Sequence, residues 1–338
     1  MKEENKNDNL LENNNENSPL INNNTSIVKN PINNLKNMNP SQTTNYSYPS
    51  ENIMAIIYMI LSCIFNLFTI ILSNKFKDRK DTSYYHILMT QTFFLLFISI
   101  ISLKFSKVNL FNYSNNKKGD IYPVFVSSIL GINSMCLYDY SLSFLNNDFY
   151  TIFYFYPVLV MLLGYFFLKE KLKIFDFIFL IISYLGLILI VKQNLIYRDL
   201  NTTLFPVFCV IFKSIQYLII RKLGKNVHFL TFPFFYALVG LIIFSYGSLL
   251  VDKISPLFTW DELRILFLSA LFTFLYQIFM ILGLQNEIAG RVSIINYIQI
   301  AFMFLDFKSF NEGGTIIILA NIINLVLKIK DRKDEKKN

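Results

Sequence analysis

The chain begins with a polar leader and then alternates between long apolar segments and short polar loops. Residues 1–52 are rich in Asn, Ser, Glu and Lys, and the first long apolar run begins at Ile53. A helix that crosses the roughly 30 Å hydrocarbon core of a bilayer needs about 20 mostly apolar residues. Reading the sequence on that rule predicts segments near 53–73, 84–103, 121–145, 149–168, 173–191, 203–220, 230–251, 262–284, 289–305 and 314–328. The pattern therefore predicts an all-α polytopic membrane protein with ten transmembrane helices.

The two ends of the chain differ from this apolar pattern. The leader, residues 1–52, buries too little apolar surface to fold, which predicts a disordered Asn-rich tail. Residues 329–338 form a short basic tail. The last apolar run is short, because Thr315 to Leu327 spans only about 20 Å as a helix. We interpret this shortness either as an error in the gene model or as a truncated tenth helix.

Composition supports a membrane protein and excludes several other classes. Apolar residues make up 54% of the chain and charged residues 16%, against roughly 25% charged in a soluble domain. The three cysteines lie in apolar runs, which excludes a disulfide-stapled secreted domain. The net charge of +8 is not arranged as a basic stripe, so we expect no nucleic-acid partner. The sequence has no zinc, phosphate-loop or nucleophile motif, which predicts a non-enzyme without cofactor or metal.

The loop charges predict the orientation of the helices. An even number of spans places both termini on one side, and most Lys and Arg of the short loops fall on that side. The positive-inside rule therefore predicts that both termini are cytosolic. Lys75 and Arg79 in the first loop oppose this bias. Whether the membrane is the plasma membrane or an endomembrane is left open.

An internal repeat relates two parts of the chain. Residues Tyr138–Glu170 align without a gap on Met280–Glu312, at a constant offset of 142. In both copies a lone Glu follows thirteen residues after a helix-perturbing or polar position, Pro157 or Gln299. Five spans separate matching elements, and an odd number reverses the orientation. The alignment therefore predicts a 5+5 inverted repeat, with five-helix domains at residues 53–191 and 203–328.

Several motifs in these domains resemble a known family. The stretch Asn147–Val158, followed by Phe167–Leu172, is similar to the EamA-type repeat of the drug/metabolite transporter superfamily. The stretch Arg221–His228, followed by Phe235–Gly240, resembles solute carrier family 35, subfamily G. The resemblance covers about residues 53–328. It implies a ten-helix carrier that works by alternating access, with both termini in the cytosol.

The strongest candidate for substrate binding is Lys213, in the sixth predicted span. It lies about ten residues from either end of that span, and a charge at such depth costs roughly 2.5–3.5 kcal/mol on insertion scales. Gln216 and Tyr217 share its helical face. Lys213 is therefore either a cationic contact for an anionic solute or half of a buried structural ion pair. The proposed partner in either case is Asp139 in the third span.

Other polar positions within the spans are weaker candidates for the same site. Asn296 and Gln299 share a face of the ninth span, and Gln277 lies in the eighth. Each of them either touches substrate or joins neighbouring helices by hydrogen bonds. Pro157 removes a backbone hydrogen bond from the fourth span and should bend it, which suits a moving gate, although proline is also common in ordinary membrane helices.

Together these features predict a secondary transporter for a small polar, anionic organic solute. The expected partners are that solute and the lipid bilayer, and a homodimer is left open. The alternative is a protein that does not transport, either a degenerate paralogue or a membrane scaffold. A transcript that restores about six residues after Gly314 would favour the carrier, whereas a genuine gap would favour the alternative.

Overall fold

The structure is a computed structural model, and it describes residues 53–76, 84–108, 121–145, 148–170, 174–191, 200–250, 258–303, 314–323 and 326. The predicted N-terminal and C-terminal tails lie outside these residues. The helices are α1 (Ile53–Asn74), α2 (Tyr84–Phe105), α3 (Ile121–Leu145), α4 (Asp148–Phe153), α5 (Tyr156–Leu168), α6 (Ile174–Val191), α7 (Leu200–Leu223), α8 (Thr231–Leu250), α9 (Trp260–Asn286), α10 (Ala289–Ile294), α11 (Asn296–Met303) and α12 (Gly314–Ile323). A 3₁₀ turn at Gly224–Asn226 follows α7.

The helices follow the apolar segments closely, since each long run hydrogen-bonds its own backbone within an apolar surrounding. Among the described residues, α1, α2, α3, α7, α8 and α9 are long and apolar enough to cross a membrane. α5, α6 and α12 are shorter apolar helices. Large apolar side chains such as Phe166 and Phe167 remain exposed on the outer surface, where lipid would cover them. The expectation of an all-helical membrane protein is confirmed for the described residues.

Two of the predicted segments are each divided into a pair of short helices. The fourth segment breaks at Tyr154 and Phe155, between α4 and α5, and the ninth breaks at Ile295, between α10 and α11.

The long helices pack in pairs: α1 lies against α9, α3 against α7, and α2 against α8. α5 packs on α7 and on α10, and α11 packs on α1. The described part of α12 covers only ten residues, about 15 Å of helix.

Candidate functional site

A small cavity of about 30 Å³ lies between α3, α7, α8 and α9. Its apolar wall is formed largely by Phe232, Met280 and Ile281. Its polar lining consists of Ser127, Ser128, Lys213, Gln216, Tyr236, Tyr276 and Gln277. The cavity therefore combines an apolar wall with a few polar groups, as small-molecule sites do.

The cation in this cavity is held between two aromatic rings. Lys213 Nζ donates a hydrogen bond to the Tyr276 hydroxyl at 3.3 Å. It also lies 5.3 Å from the ring centroid of Tyr217 and 5.9 Å from that of Tyr276. Tyrosine faces attract a cation at these distances. An ammonium has three N–H donors, so the tyrosines position Lys213 without using all of its hydrogen-bonding capacity.

Gln216 lies on the same face of α7, one turn after Lys213. Its side chain is only 5% exposed, and its carbonyl Oε1 has no hydrogen-bond partner among the described residues. Gly131 of α3 provides the space for it: a Cβ at Gly131 would lie 2.9 Å from Gln216 Cδ and 3.1 Å from the Tyr236 ring. A buried amide carbonyl without a partner lowers the stability of a protein by about 1–3 kcal/mol. A ligand that donates a hydrogen bond to this carbonyl would remove that cost.

Reciprocal hydrogen bonds hold α7 against α3 beside the cavity. Cys209 Sγ donates to the Ser134 carbonyl at 3.1 Å, and Ser134 Oγ donates to the Cys209 carbonyl at 3.1 Å. Cys209 precedes Lys213 by one helical turn. The small side chains at this crossing let the backbones approach closely, and this contact fixes the rotation of α7 that directs Lys213 and Gln216 inward.

The structure brings together some of the predicted site residues and separates others. Lys213, Gln216 and Gln277 line one cavity, and Tyr217 is buried beside it with its ring 5.5 Å from that of Tyr156.

Asn296 and Gln299 lie on α11 and contact α1 instead. Gln299 Oε1 accepts a hydrogen bond from Asn66 Nδ2 at 3.0 Å, and Asn296 Oδ1 lies 3.7 Å from Cys63 Sγ. These two residues join helices in the structure, and their contact with substrate stays a prediction.

Asp139 lies further along α3 than the residues that line the cavity. The adjacent Tyr140 packs its ring 5.0 Å from that of Phe205 on α7, and Phe205 is about 12 Å along the helix from Lys213. Asp139 is close enough to the Tyr84 hydroxyl for a side-chain hydrogen bond. The pairing of Asp139 with Lys213 stays a prediction.

Pro157 is the second residue of α5, directly after the break in the fourth segment. Because proline has no N–H and clashes with the preceding turn, it favours the start of a helix over its interior. Hydroxyl groups from other helices lie close to carbonyls around the break. Tyr297 Oη donates to the Tyr154 carbonyl at 2.9 Å, and Ser214 Oγ lies 3.3 Å from the Tyr156 carbonyl.

A second polar region, which we name the terminal ion cluster, consists of Glu170, Asp176, Arg221, Glu287 and Arg291. It lies where α5, α7 and α9 end and where α6 and α10 begin. All five side chains have ion-pair partners: Arg221 Nε lies 2.8 Å from Glu170, Arg291 Nε lies 2.7 Å from Asp176, and Arg291 Nη1 lies 3.5 Å from Glu287. Each of these side chains is at most 11% exposed.

Local backbone geometry directs Glu170 into the cluster. Lys169 adopts a left-handed conformation with φ 52°, and the Glu170 N–H donates to the Gly164 carbonyl, so the chain folds back over the end of α5. The Glu170 carboxylate then accepts from the Ala289 N–H, at the start of α10, at 3.1 Å. Burial raises the pKa of the Glu170 carboxyl, although the Arg221 guanidinium and the Ala289 amide oppose this shift.

Glu170 follows the end of α5 and accepts hydrogen bonds from α7 and from the start of α10. The sequence did not predict that the side chains of Arg221 and Arg291 are largely buried. Arg221 Nη1 also lies 3.3 Å from the Leu284 and Gln285 carbonyls, at the end of α9. A usable signal was present: opposite charges end successive segments on the same predicted side of the membrane.

The fold and site define a class before any relative is considered. Long apolar helices, a polar cavity between them and an apolar outer surface make this an integral multi-pass membrane protein. One solved crystal structure covers 83% of this chain and 99% of its own chain, with a TM-score of 0.68 at 10% identity. At that identity, the likeness shows a shared fold alone.

Sequence comparisons then show which proteins this chain is similar to. Residues 53–192 match the family model described as the EamA-like transporter family. Solute carrier family 35 member G1 is 25% identical in Homo sapiens and 27% in Mus musculus, over 62% and 56% of this chain. A probable transport protein of Saccharomyces cerevisiae is 23% identical over 47% of the chain. Residues 53–192 of the chain are thus similar to EamA-like transporters.

The alignments cover only part of these relatives. They span 64% of the human protein, 55% of the mouse protein and 52% of the yeast protein. The match to the family thus rests on a shared region of slightly more than half of each relative.

Proposed function

We propose that this protein is a secondary transporter that moves a small polar, anionic organic metabolite across a membrane by alternating access. The observation that carries the proposal is Lys213, a cation in the middle of an apolar helix that lines a cavity. The EamA-type family supports the same conclusion. In this proposal Lys213 is the anion contact, and Gln216 and Gln277 complete the binding site.

The contacts of Lys213 support a role in binding. A structural cation within a bilayer is expected to be neutralised by a carboxylate, as Arg291 is by Asp176 in the terminal ion cluster. The hydrogen bond and ring contacts of Lys213 are instead with neutral tyrosines. An anionic solute that enters the cavity would supply the missing charge.

The packing supports a 5+5 inverted repeat, in which α1–α6 correspond to α7–α12. Exchange of the two halves converts the α1–α9 contact into α7–α3 and leaves α2–α8 unchanged, and all three contacts are observed. It also converts α5–α7 into α11–α1, which is observed as well. The broken segments, α4–α5 and α10–α11, occupy corresponding places in the two halves.

One contact departs from this symmetry and supports alternating access. α5 packs on α10 beside the terminal ion cluster, whereas α4 and α11, the pair related to them by exchange, do not form a comparable packed pair within the described ranges. A carrier that is closed at one end and less closed at the other has this asymmetry. We propose that the closed end is cytosolic, as the loop charges predict.

Uptake into proteoliposomes tests this proposal. The purified full chain is assayed with labelled nucleotide sugars, phosphorylated metabolites and amino acids. We expect uptake of an anionic solute, and we expect Lys213→Ala to abolish it while size-exclusion behaviour stays normal. Lys222→Ala, at an exposed position of the same helix, is the matched control and should transport normally.

Two results would contradict the proposal. Wild-type uptake by the Lys213→Ala variant would remove Lys213 from the site. Failure of every solute with a well-folded protein would favour a non-transporting scaffold.

A further inference from the structure

The polar groups that line the cavity are of two kinds, hydrogen-bond acceptors and hydrogen-bond donors. Ser127 Oγ and Ser128 Oγ donate their hydrogens to the Val124 carbonyl at 2.7 and 3.0 Å. A hydroxyl that has donated its hydrogen presents only lone pairs to its surroundings. Both serines are at least 98% buried apart from the cavity that they line. They therefore present acceptors to a ligand.

Gln216 adds a stronger acceptor next to these serines. Its side chain is 95% buried, it lines the same cavity, and its carbonyl Oε1 has no partner among the described residues. The space for this amide depends on the absence of a side chain at Gly131. A buried acceptor in this condition requires a ligand N–H or O–H to satisfy it.

The donor of the cavity is Lys213. Its Nζ donates one hydrogen to the Tyr276 oxygen, so two of the three N–H groups of the ammonium remain for a ligand. Lys213 is the one cationic side chain in the described lining, and that lining contains no carboxylate. The charge of the cavity thus matches one negative charge on a ligand, and a dianion would leave one charge uncompensated.

We infer that the ligand of this cavity is a small monoanion that carries at least one hydroxyl group. Its anionic group binds Lys213, and its hydroxyl donates to Gln216 Oε1, with the serine oxygens as further acceptors. This inference rests on the proposed function and narrows it from anionic solutes to hydroxylated monoanions. Gln216 is the residue that distinguishes a hydroxylated acid from its deoxy counterpart.

Matched pairs of acids test this inference on the purified full chain. The probes are glycerate against propionate and threonate against butyrate, with binding measured by ligand-dependent thermal stabilisation. We expect each hydroxylated acid to bind at least about tenfold more tightly than its partner, because the deoxy acid leaves Gln216 unpaired. Gln216→Met should reduce this preference to about threefold or less while propionate binding is retained.

Gln91→Met is the control, because Gln91 is equally buried at 5% exposure but hydrogen-bonds Ser269 and Thr273, away from the cavity. It should keep the hydroxyl preference. Equal binding of the paired acids by the wild type, or a preference that survives Gln216→Met, would overturn the inference.

The outcomes separate this inference from the proposed function. If deoxy and hydroxylated acids bind equally and Lys213→Met abolishes both, anion transport stands and the inference fails. If hydroxylated acids bind equally well to Lys213→Met, both fail. If none of the four acids binds, the inference is overturned, and the uptake panel decides the proposed function separately.

Discussion

The terminal ion cluster and the Lys213 cavity are two buried polar regions that differ in how their charged and polar groups are paired. In the cluster, Arg221 and Arg291 each meet a carboxylate within 2.8 Å. In the cavity, Lys213 contacts neutral tyrosines, and the Gln216 carbonyl has no hydrogen-bond partner among the described residues. Both regions are charged and buried, but among the described residues a carboxylate pairs with the cation only in the cluster.

This difference separates buried charges that are paired within the fold from Lys213, which we propose to bind a ligand. A satisfied ion pair that loses one member leaves an uncompensated charge and destabilises the protein strongly. Removing a buried acceptor that has no partner also removes the desolvation cost of burying it, so the protein should lose little stability. Substitutions in the cluster should therefore lower the free energy of unfolding far more than substitutions in the cavity. This difference can be measured without a transport assay.

The largest effect is expected from Arg291→Met in the terminal ion cluster. The substitution leaves Asp176 and Glu287 buried without their cation, which should lower the free energy of unfolding by about 3–5 kcal/mol. Thermal unfolding in detergent measures it. The control is Arg264→Met, whose ion pair with Asp261 is 79% and 85% exposed and worth about 1 kcal/mol or less. If the two variants unfold alike, the cluster does not stabilise the fold.

An intermediate effect is expected from Tyr297→Phe at the break in the fourth segment. The variant removes the hydroxyl that donates to the Tyr154 carbonyl at 2.9 Å and leaves that buried carbonyl unsatisfied, at about 1–2 kcal/mol. Tyr165→Phe is the control, since Tyr165 is 57% exposed and should be neutral. The same thermal assay compares them, and an equal loss in both variants would count against this role for Tyr297.

The smallest effect is expected from Gln216→Met in the cavity. Its carbonyl has no hydrogen bond to another described residue, so stability without ligand should change by less than about 0.5 kcal/mol or should increase. Gln91→Met, which loses bonds to Ser269 and Thr273, should cost about 1–2 kcal/mol in the same assay. A loss in Gln216→Met as large as that in Gln91→Met would erase the contrast between the two regions.

The length of the apolar segments predicted most of the helices, because length and hydrophobicity decide which segments can cross a bilayer. The position of the first break followed from Pro157, whose missing N–H favours a helix start. The break at Ile295 has no proline beside it, and the sequence did not predict it. Glu312 and the tails lie outside the described residues.

The site was predicted less completely than the fold. Lys213 and Gln216 followed from helical spacing, since both lie on one face of α7. The contacts of Asn296 and Gln299 with α1 depend on tertiary packing, and spacing alone does not distinguish a helix-joining amide from a ligand contact. Ser127 and Ser128 were missed because serines are frequent in membrane helices, and their role depends on where their hydrogens go.

The discontinuity between α4 and α5 has a mechanical consequence. Around it, carbonyls at Tyr154, Tyr156 and Pro157 lie within 3.4 Å of hydroxyls from Tyr297, Ser214 and Ser293. A hydroxyl can be withdrawn by turning a single side-chain bond, whereas an intact helix must surrender main-chain bonds to flex. These hydroxyls belong to α7, α10 and α11. A change of angle between α4 and α5, which the predicted gate role of Pro157 requires, would therefore alter contacts with all three of these helices.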